Sequence, residues 1–264
     1  MKQNILTVPI QKVDREGALS ALDLVAVEEP LEILLNDRNV AITMRTPGND
    51  EELAAGFLFG EGILRDRAAV RDVSAIAPNR VNVATREENV DLDRLERHFY
   101  ISSSCGVCGK ASIQAVEAME CAPVPRHQPV ISRNLVPRLP EILRSRQSAF
   151  DRTGGLHAAA LLDTQGTMLD VREDVGRHNA VDKLIGAAFL AGATPLHDRI
   201  VMVSGRASFE LVQKALMAGI PIMAAVGAPS SLAVELALRF GMTLAGFVRH
   251  RRFNLYSGEW RVAD

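Results

Sequence analysis

The stretch RIVMVSGRASFELVQKALMAGIPIMAAVGAPSSLAVELALRFGMTLAGFVR, residues 199–249, decides how this chain folds. Three short apolar runs, RIVMVSG, IPIMAAVG and TLAGFVR, alternate with two segments whose apolar residues recur at helical spacing. Runs so short and so apolar read as buried strands, and the amphipathic segments between them as covering helices. The pattern extends upstream through a helix at about 133–146 and strands LHAAALLD (156–163) and TMLDVRE (167–173). The helix NAVDKLIGAAFLA (179–191) follows, with Val181, Leu184, Ile185, Ala188 and Phe189 at helical spacing. Alternation of this kind predicts a mostly parallel sheet covered on both faces.

In such sheets ligands settle beyond the carboxyl ends of the strands, where helix N-termini point. Three strand-to-helix turns there are rich in glycine, serine and basic side chains: EDVGRHN (173–179), SGRAS (204–208) and GAPSS (227–231). The last strand runs into FVRHRRF (247–253), which gathers Arg249, His250, Arg251 and Arg252. Taken singly, each glycine serves a tight turn and RHRR is a solvated surface. Their convergence on one sheet edge suits a polyanion, most simply a phosphate-bearing ligand. His157, inside an apolar strand, reads as a hydrogen-bonded core histidine. His178 opens a helix, whose positive end disfavours imidazolium and suits a neutral, ligand-contacting ring.

The first half is different. Residues 32–46, EILLNDRNVAITMRT, read as two strands turning at Asn36-Asp37-Arg38, and residues 49–64 as a helix capped by Asn49 or Asp50. Residues 70–88 supply a second strand pair turning at Pro78-Asn79. The expectation is a small α+β domain over 1–128, closed by the proline-broken CAPVPRHQP, and an α/β domain over 129–264.

Between them lies SSSCGVCGK (102–110), followed by an amphipathic segment, KASIQAVEAME. Two of the chain's three cysteines, Cys105 and Cys108, stand here. As metal ligands they need a second pair, and Cys121 with His127 offers one, widely spaced and in a broken segment. A zinc deaminase needs H-x-E on one helix and P-C-x-x-C on the next. At those places this chain has His178-Asn179-Ala180 and SGRAS, so the order of elements resembles that fold while its chemistry is absent. The third reading is sulfur or redox chemistry, with helix N–H groups and Lys110 lowering one thiol's pKa. A Gly/Ser segment between domains suits a carrier arm.

With 264 residues, 47% hydrophobic and 23% charged, and a net charge of −2, the composition is that of an ordinary globular protein with no global pull toward nucleic acid or membrane. The N-terminus lacks a secretory pattern, and the longest weakly polar run falls short of the ~18 residues of a spanning helix. A cytoplasmic protein is expected.

Taken together, SSSCGVCGK, DVGRHNAVDKLIG, SGRASFELVQKA, AGIPIMAAVGAPSSLAVELA and MTLAGFVR, in that order, resemble the formate dehydrogenase accessory sulfurtransferase family, FdhD. EEPLEILLN and GFLFGEGIL near the N-terminus add to the likeness. The resemblance implies a cytidine deaminase-like three-layer αβα domain without the zinc site, and commonly a homodimer. It implies a sulfurtransferase that takes persulfide sulfur from a cysteine desulfurase. The recipient would be the Mo-bis(molybdopterin guanine dinucleotide) cofactor of formate dehydrogenase. Carried over, Cys105 would bear the persulfide and Cys108 would be the second thiol. Phe247, Val248, Arg249, His250, Arg251 and Arg252 match the family's cofactor-binding stretch. Arg177, His178, Ser204 and Arg206 join them as candidate guanine, phosphate or pterin contacts on loop position. The alternatives are a zinc-stabilised guanine-nucleotide-binding module, which stoichiometric zinc would favour, and a cofactor chaperone without chemistry.

Overall fold

The computed structural model describes residues 4–86, 121 and 123–264. The strand-helix alternation builds a six-stranded sheet in the order β13-β12-β11-β10-β8-β9. Its members are β8 (His157–Leu162), β9 (Met168–Asp174), β10 (Ile200–Val203), β11 (Ile222–Ala225), β12 (Thr243–Arg249) and β13 (Arg252–Ser257). Only β10, β11 and β12 run parallel, while β8, β9 and β13 are each antiparallel to their neighbours. The expected mostly parallel sheet is therefore a mixed one. The cause is local: β8–β9 and β12–β13 are hairpins, and strands joined by a tight turn must run antiparallel. The first hairpin turns where Thr167 and Gln165 N–H donate to Asp163 Oδ1. Apolar runs look alike in either direction.

Three helices, α4 (Arg177–Leu190), α5 (Phe209–Met217) and α6 (Ser231–Phe240), cover one face. Their Leu184, Leu211 and Leu236 pack with Leu161, Val201, Met223 and Leu244 of the strands. The alternate strand residues, Ala160, Met202, Ala224 and Ala245, face Leu135, Leu139 and Leu143 on the other side. That layer is thinner than expected. In place of one helix over 133–146 there is a 3-10 turn (Val136–Arg138), then α2 (Leu139–Arg144) and α3 (Ser148–Thr153). Pro137 and Pro140 supply no backbone N–H to continue a longer helix from its start.

The N-terminal unit is a second sheet, order β4-β3-β6-β5, made of β3 (Glu29–Leu35), β4 (Arg38–Arg45), β5 (Val70–Ala77) and β6 (Arg80–Thr85). Its turns fall where expected, at Asn36-Asp37 and at Asn79, all three at positive φ. The helix α1 (Asp50–Gly60) begins where expected. Asn49 makes no side-chain cap, and Asp50 instead takes the buried Arg45 guanidinium at 2.8 Å. The sequence pattern separates this unit from the rest, but one core joins them: Leu31, Val81 and Leu58 belong to the same apolar cluster as Leu184 and Val201.

Two smaller features complete the chain. A ribbon, β1 (Ile5–Val13) and β2 (Ala18–Ala26), forms a sheet of its own. At the other end β14 (Val262–Ala263) pairs with β7 (Ile131–Ser132). Arg261, fully buried, donates to the carbonyls of Pro125, Gln128 and Gly241, tying the 125–128 segment to the body.

Candidate functional site at the sheet edge

The carboxyl ends of β10, β11 and β12 open on one edge of the central sheet. Antiparallel β8 starts at that edge, so His157 emerges there, paired across the ladder with Asp174 at the end of β9. Asp174 is fully buried and anchors the turn that follows. It accepts from Gly176 N–H and Asn179 Nδ2, and its other oxygen meets Lys183 Nζ at 2.7 Å and accepts from Thr46 N–H. This buried, fully partnered carboxylate sets the position of the α4 N-terminus. That end has no side-chain cap and no acidic residue in its first turn, only Arg177 and His178. By contrast α6 is capped by Ser230, and α5 carries Glu210 in its first turn. The field at the α4 end is the one left open to an anion.

The remaining loops are laced together by their backbones. Gly227 N–H donates to Gly205 O at 2.9 Å, Ala207 N–H to Ala228 O at 3.1 Å, and Phe247 N–H to Gly227 O at 3.0 Å. A Cβ on Gly227 would stand 3.0 Å from Arg206 Cα, so the approach of these loops needs a glycine there. Phe247 is held at φ 51, a conformation costing a phenylalanine about 1–3 kcal/mol, and its side chain is 39% exposed. Ser204 Oγ accepts from Ala158 N–H at 2.9 Å, which locks the start of β8 to the end of β10. His178 Nε2 lies 3.1 Å from Ser208 Oγ and 3.8 Å from Glu210. The neighbouring His178 ring, the largest influence, holds the Glu210 carboxyl down to about 2.

Below the edge, on the α2–α3 side, lies a cavity of about 610 Å³. Leu143, Arg144 and Phe150 form one wall, and His157, Ser204 and Val226 form the wall toward the loops. Arg144 stacks its guanidinium 4.5 Å from the Phe150 ring centroid. The tip of the β12–β13 hairpin closes toward the same rim, where His250 Nδ1 lies 2.8 Å from Glu141 Oε1. A charged loop edge continuous with a half-apolar hollow suits a ligand with an anionic middle and a flat ring at one end.

Of the residues singled out from sequence, the fold brings Arg177, His178, Ser204, Arg206 and Phe247 together at this edge. Arg249, His250, Arg251 and Arg252 sit on the exposed hairpin tip beside it. Val248 is 1% exposed and packs against the sheet's thinner face, so its side chain is core. His157 is not a core histidine: it lines the cavity, half-buried. Strand periodicity could not place it. The turn signal at Asp163–Thr167, which makes β8 antiparallel to its partners, was the cue. Cys105 and Cys108 lie outside the described residues. Cys121 is half-buried, and burial pushes its thiol up to about 11, which makes it an unreactive packing residue. Among the described residues no three His, Cys, Asp or Glu side chains gather to hold a metal, and no helix is long and apolar enough to cross a membrane.

Comparison with known proteins supplies the family. A family model described as FdhD/NarQ family matches residues 26–263. The chain is 50% identical over 261 residues to the sulfur carrier protein FdhD of Streptomyces avermitilis, covering 94% of this chain and 93% of that one. It is 44% identical over 259 residues to the sulfur carrier protein FdhD of Sulfolobus acidocaldarius, covering 98% of each. A crystal structure described as a candidate formate dehydrogenase accessory protein from Desulfotalea psychrophila superposes with a TM-score of 0.78 at 26% identity. That match covers 99% of this chain and all of the other.

Proposed function

The chain belongs to the FdhD/NarQ family, and we propose that it carries sulfur to the Mo-bis(molybdopterin guanine dinucleotide) cofactor of a formate dehydrogenase. The observation that supports this most is the single edge where an uncapped helix N-terminus, Arg177, Arg206 and the 249–252 tip adjoin a cavity. Phosphates suit the α4 end and the laced glycine loops, where N–H groups and guanidinium groups offer charge-assisted hydrogen bonds. The cavity has the volume and the stacking walls, Phe150 with Arg144 upon it, for one flat ring of the same ligand. The deaminase-like reading of the αβα unit belongs to this proposal. His178-Asn179-Ala180 and Ser204–Ser208 hold neither the glutamate nor the thiols of deamination.

Cys105 takes the outer sulfur of a cysteine desulfurase's persulfide, whose own cysteine leaves as thiolate. The outer sulfur would then pass to the bound cofactor, Cys105 leaving as thiolate while the reduced metal centre of that cargo supplies the two electrons that turn sulfane sulfur into a sulfido ligand. Where it is released instead, Cys108 thiolate attacks the Cys105 sulfur, hydrosulfide leaves, and a Cys105–Cys108 disulfide remains. We place the reaction in the cytoplasm and the carrier in a homodimer.

The test is direct. Incubation with cysteine and a desulfurase should add sulfur in steps of one atom to the intact chain, seen by mass spectrometry and removed by dithiothreitol. Cys105→Ser should abolish the adduct and formate dehydrogenase maturation in cells. Maturation that survives loss of both thiols would leave a chaperone without sulfur chemistry.

A further inference from the structure

His157 reads from sequence as a core histidine, yet it stands where the two halves of the site meet. On one side it lines the cavity with Ser204 and Val226. On the other it faces the α4 N-terminus. Gly205 lies between them: a Cβ built there would be 3.4 Å from His157 Nδ1 and 3.9 Å from Arg177 Cδ. With hydrogen in place of a side chain at 205, imidazole and guanidinium flank one open point. The ring's backbone is fixed, since Ala158 N–H donates to Ser204 Oγ and Ser204 N–H to Ala158 O at 3.0 Å.

One polar group at this junction lacks a partner. Arg177 Nε is buried with no hydrogen bond among the described residues, and the half-buried His157 ring beside it faces the cavity. A buried N–H left without an acceptor costs about 1–3 kcal/mol, so such groups are expected to be satisfied by something that binds. The groups around the imidazole also set its protonation. Burial disfavours the charged ring, and Arg177 and His178 of α4 add to that, while Asp174 of β9 opposes it; the balance lies below the usual histidine range. Glu210 of α5 is engaged by His178. A neutral imidazole offers one N–H donor and one lone pair, which the cations beside it do not.

We propose that His157 is a ligand-contacting residue, holding the bound nucleotide at the throat between the phosphate-suited loops and the ring-accepting cavity. The proposal rests on the nucleotide reading given above. It predicts recognition of a polar atom close to the sugar or the inner ring edge, with Arg177 Nε donating to a neighbouring oxygen. It adds a neutral contact to a site otherwise described by its positive charge.

The probe is guanosine diphosphate, titrated calorimetrically into the full chain between pH 5 and 8. His157→Ala should weaken binding about tenfold at pH 7.5, the worth of one good hydrogen bond. His157→Gln, which keeps a donor and an acceptor, should recover most of that loss. Because the ring must be neutral, the ratio of wild-type to His157→Gln affinity should hold steady across neutral pH and fall only on acidification, below the usual histidine range. Circular dichroism melts of each variant separate loss of contact from loss of fold, and His157→Gln decides should His157→Ala unfold. Equal affinity of wild type and both variants at every pH overturns the assignment while leaving the nucleotide reading intact. Absence of any binding by the wild type overturns both.

Discussion

Asp182 and Lys214 meet at 2.8 Å with side chains only 3% and 5% exposed, on facing surfaces of α4 and α5. Glu61, at the end of α1, approaches the same ammonium at 3.4 Å. Burial pushes the Asp182 carboxyl up to about 6, with Lys214 pulling the other way. For Lys214 burial works against the charge, but Asp182 and Glu61 outweigh it and hold the ammonium above its usual range. An unfolded aspartate titrates near 3.8. Between about 4 and 6 the folded chain therefore binds more protons at this site than the unfolded one, and the contribution to stability falls as pH rises through that window. Replacing both groups, Asp182→Asn with Lys214→Met, should remove this slope relative to wild type and cost little at pH 7, because neither charge is left stranded. Lys214→Met alone should cost about 3 kcal/mol or more at pH 8 and recover as the carboxyl protonates on acidification. Urea midpoints across pH 4–8 for the three proteins check all of this.

At the scale of elements, α1 and α4 cross with glycine against backbone. A Cβ on Gly56 would lie 1.9 Å from Asp182 O, and one on Gly186 1.9 Å from Glu52 O. Neither contact involves a flexible side chain, so neither can give way cheaply. In an open helix Gly→Ala stabilises by up to about 1 kcal/mol. Gly186→Ala should instead destabilise by about 3 kcal/mol, the cost of overpacking two helices, and lower the melting temperature by several degrees. A neutral or stabilising result would mean that the helices can part without loss. The sequence pattern showed α4 clearly through Val181, Leu184 and Phe189, but helical spacing carries no sign that Gly186 must meet another backbone. The same division holds for the rest of the fold. Periodicity and turn residues located most strands and helices, and the Asn36-Asp37 and Asn79 turns fell on the residues named. Orientation was not legible, because a buried strand has the same composition whichever way it runs. That single loss led His157 to be read as core, whereas Arg177, Ser204 and Arg206 could be expected at one edge because glycine-bearing loops after strands of one direction gather there. Val248 was included for its neighbours, and only alternation along β12 separates its buried side chain from Phe247 and Arg249.

At the scale of the whole molecule, the β1–β2 ribbon stands apart from the two larger sheets. Ile5, Leu24 and Ala26 root it on Ala149, Phe150 and Leu156 beside the cavity wall. Beyond that root Val13, Leu19 and Leu22 are 70% exposed or more, and Leu6 is 48% exposed. A two-stranded ribbon has too little core to hold itself, and apolar exposure on both faces calls for a covering surface. Its two edges differ. Pro9, in the middle of β1, has no N–H to offer, but β2 holds no proline and one charge, Asp23. Pairing β2 antiparallel with its own copy about Leu22 sets Leu19 opposite Val25 and Asp23 opposite Ala21, so no like charges meet. That register brings the exposed Leu19 and Leu22 of both copies into one four-stranded ribbon, which has the apolar face a two-stranded one lacks. The homodimer proposed above is therefore expected to join through these ribbons. Light scattering of the full chain should give twice 28.7 kDa. Leu19→Lys with Leu22→Lys should give the single-chain mass, with the melting of the α/β body unchanged because those side chains are largely exposed and belong to none of the apolar clusters among the described residues. A wild-type chain of single mass would overturn the homodimer, and a lysine variant that remains double would move the dimer contact away from the ribbon.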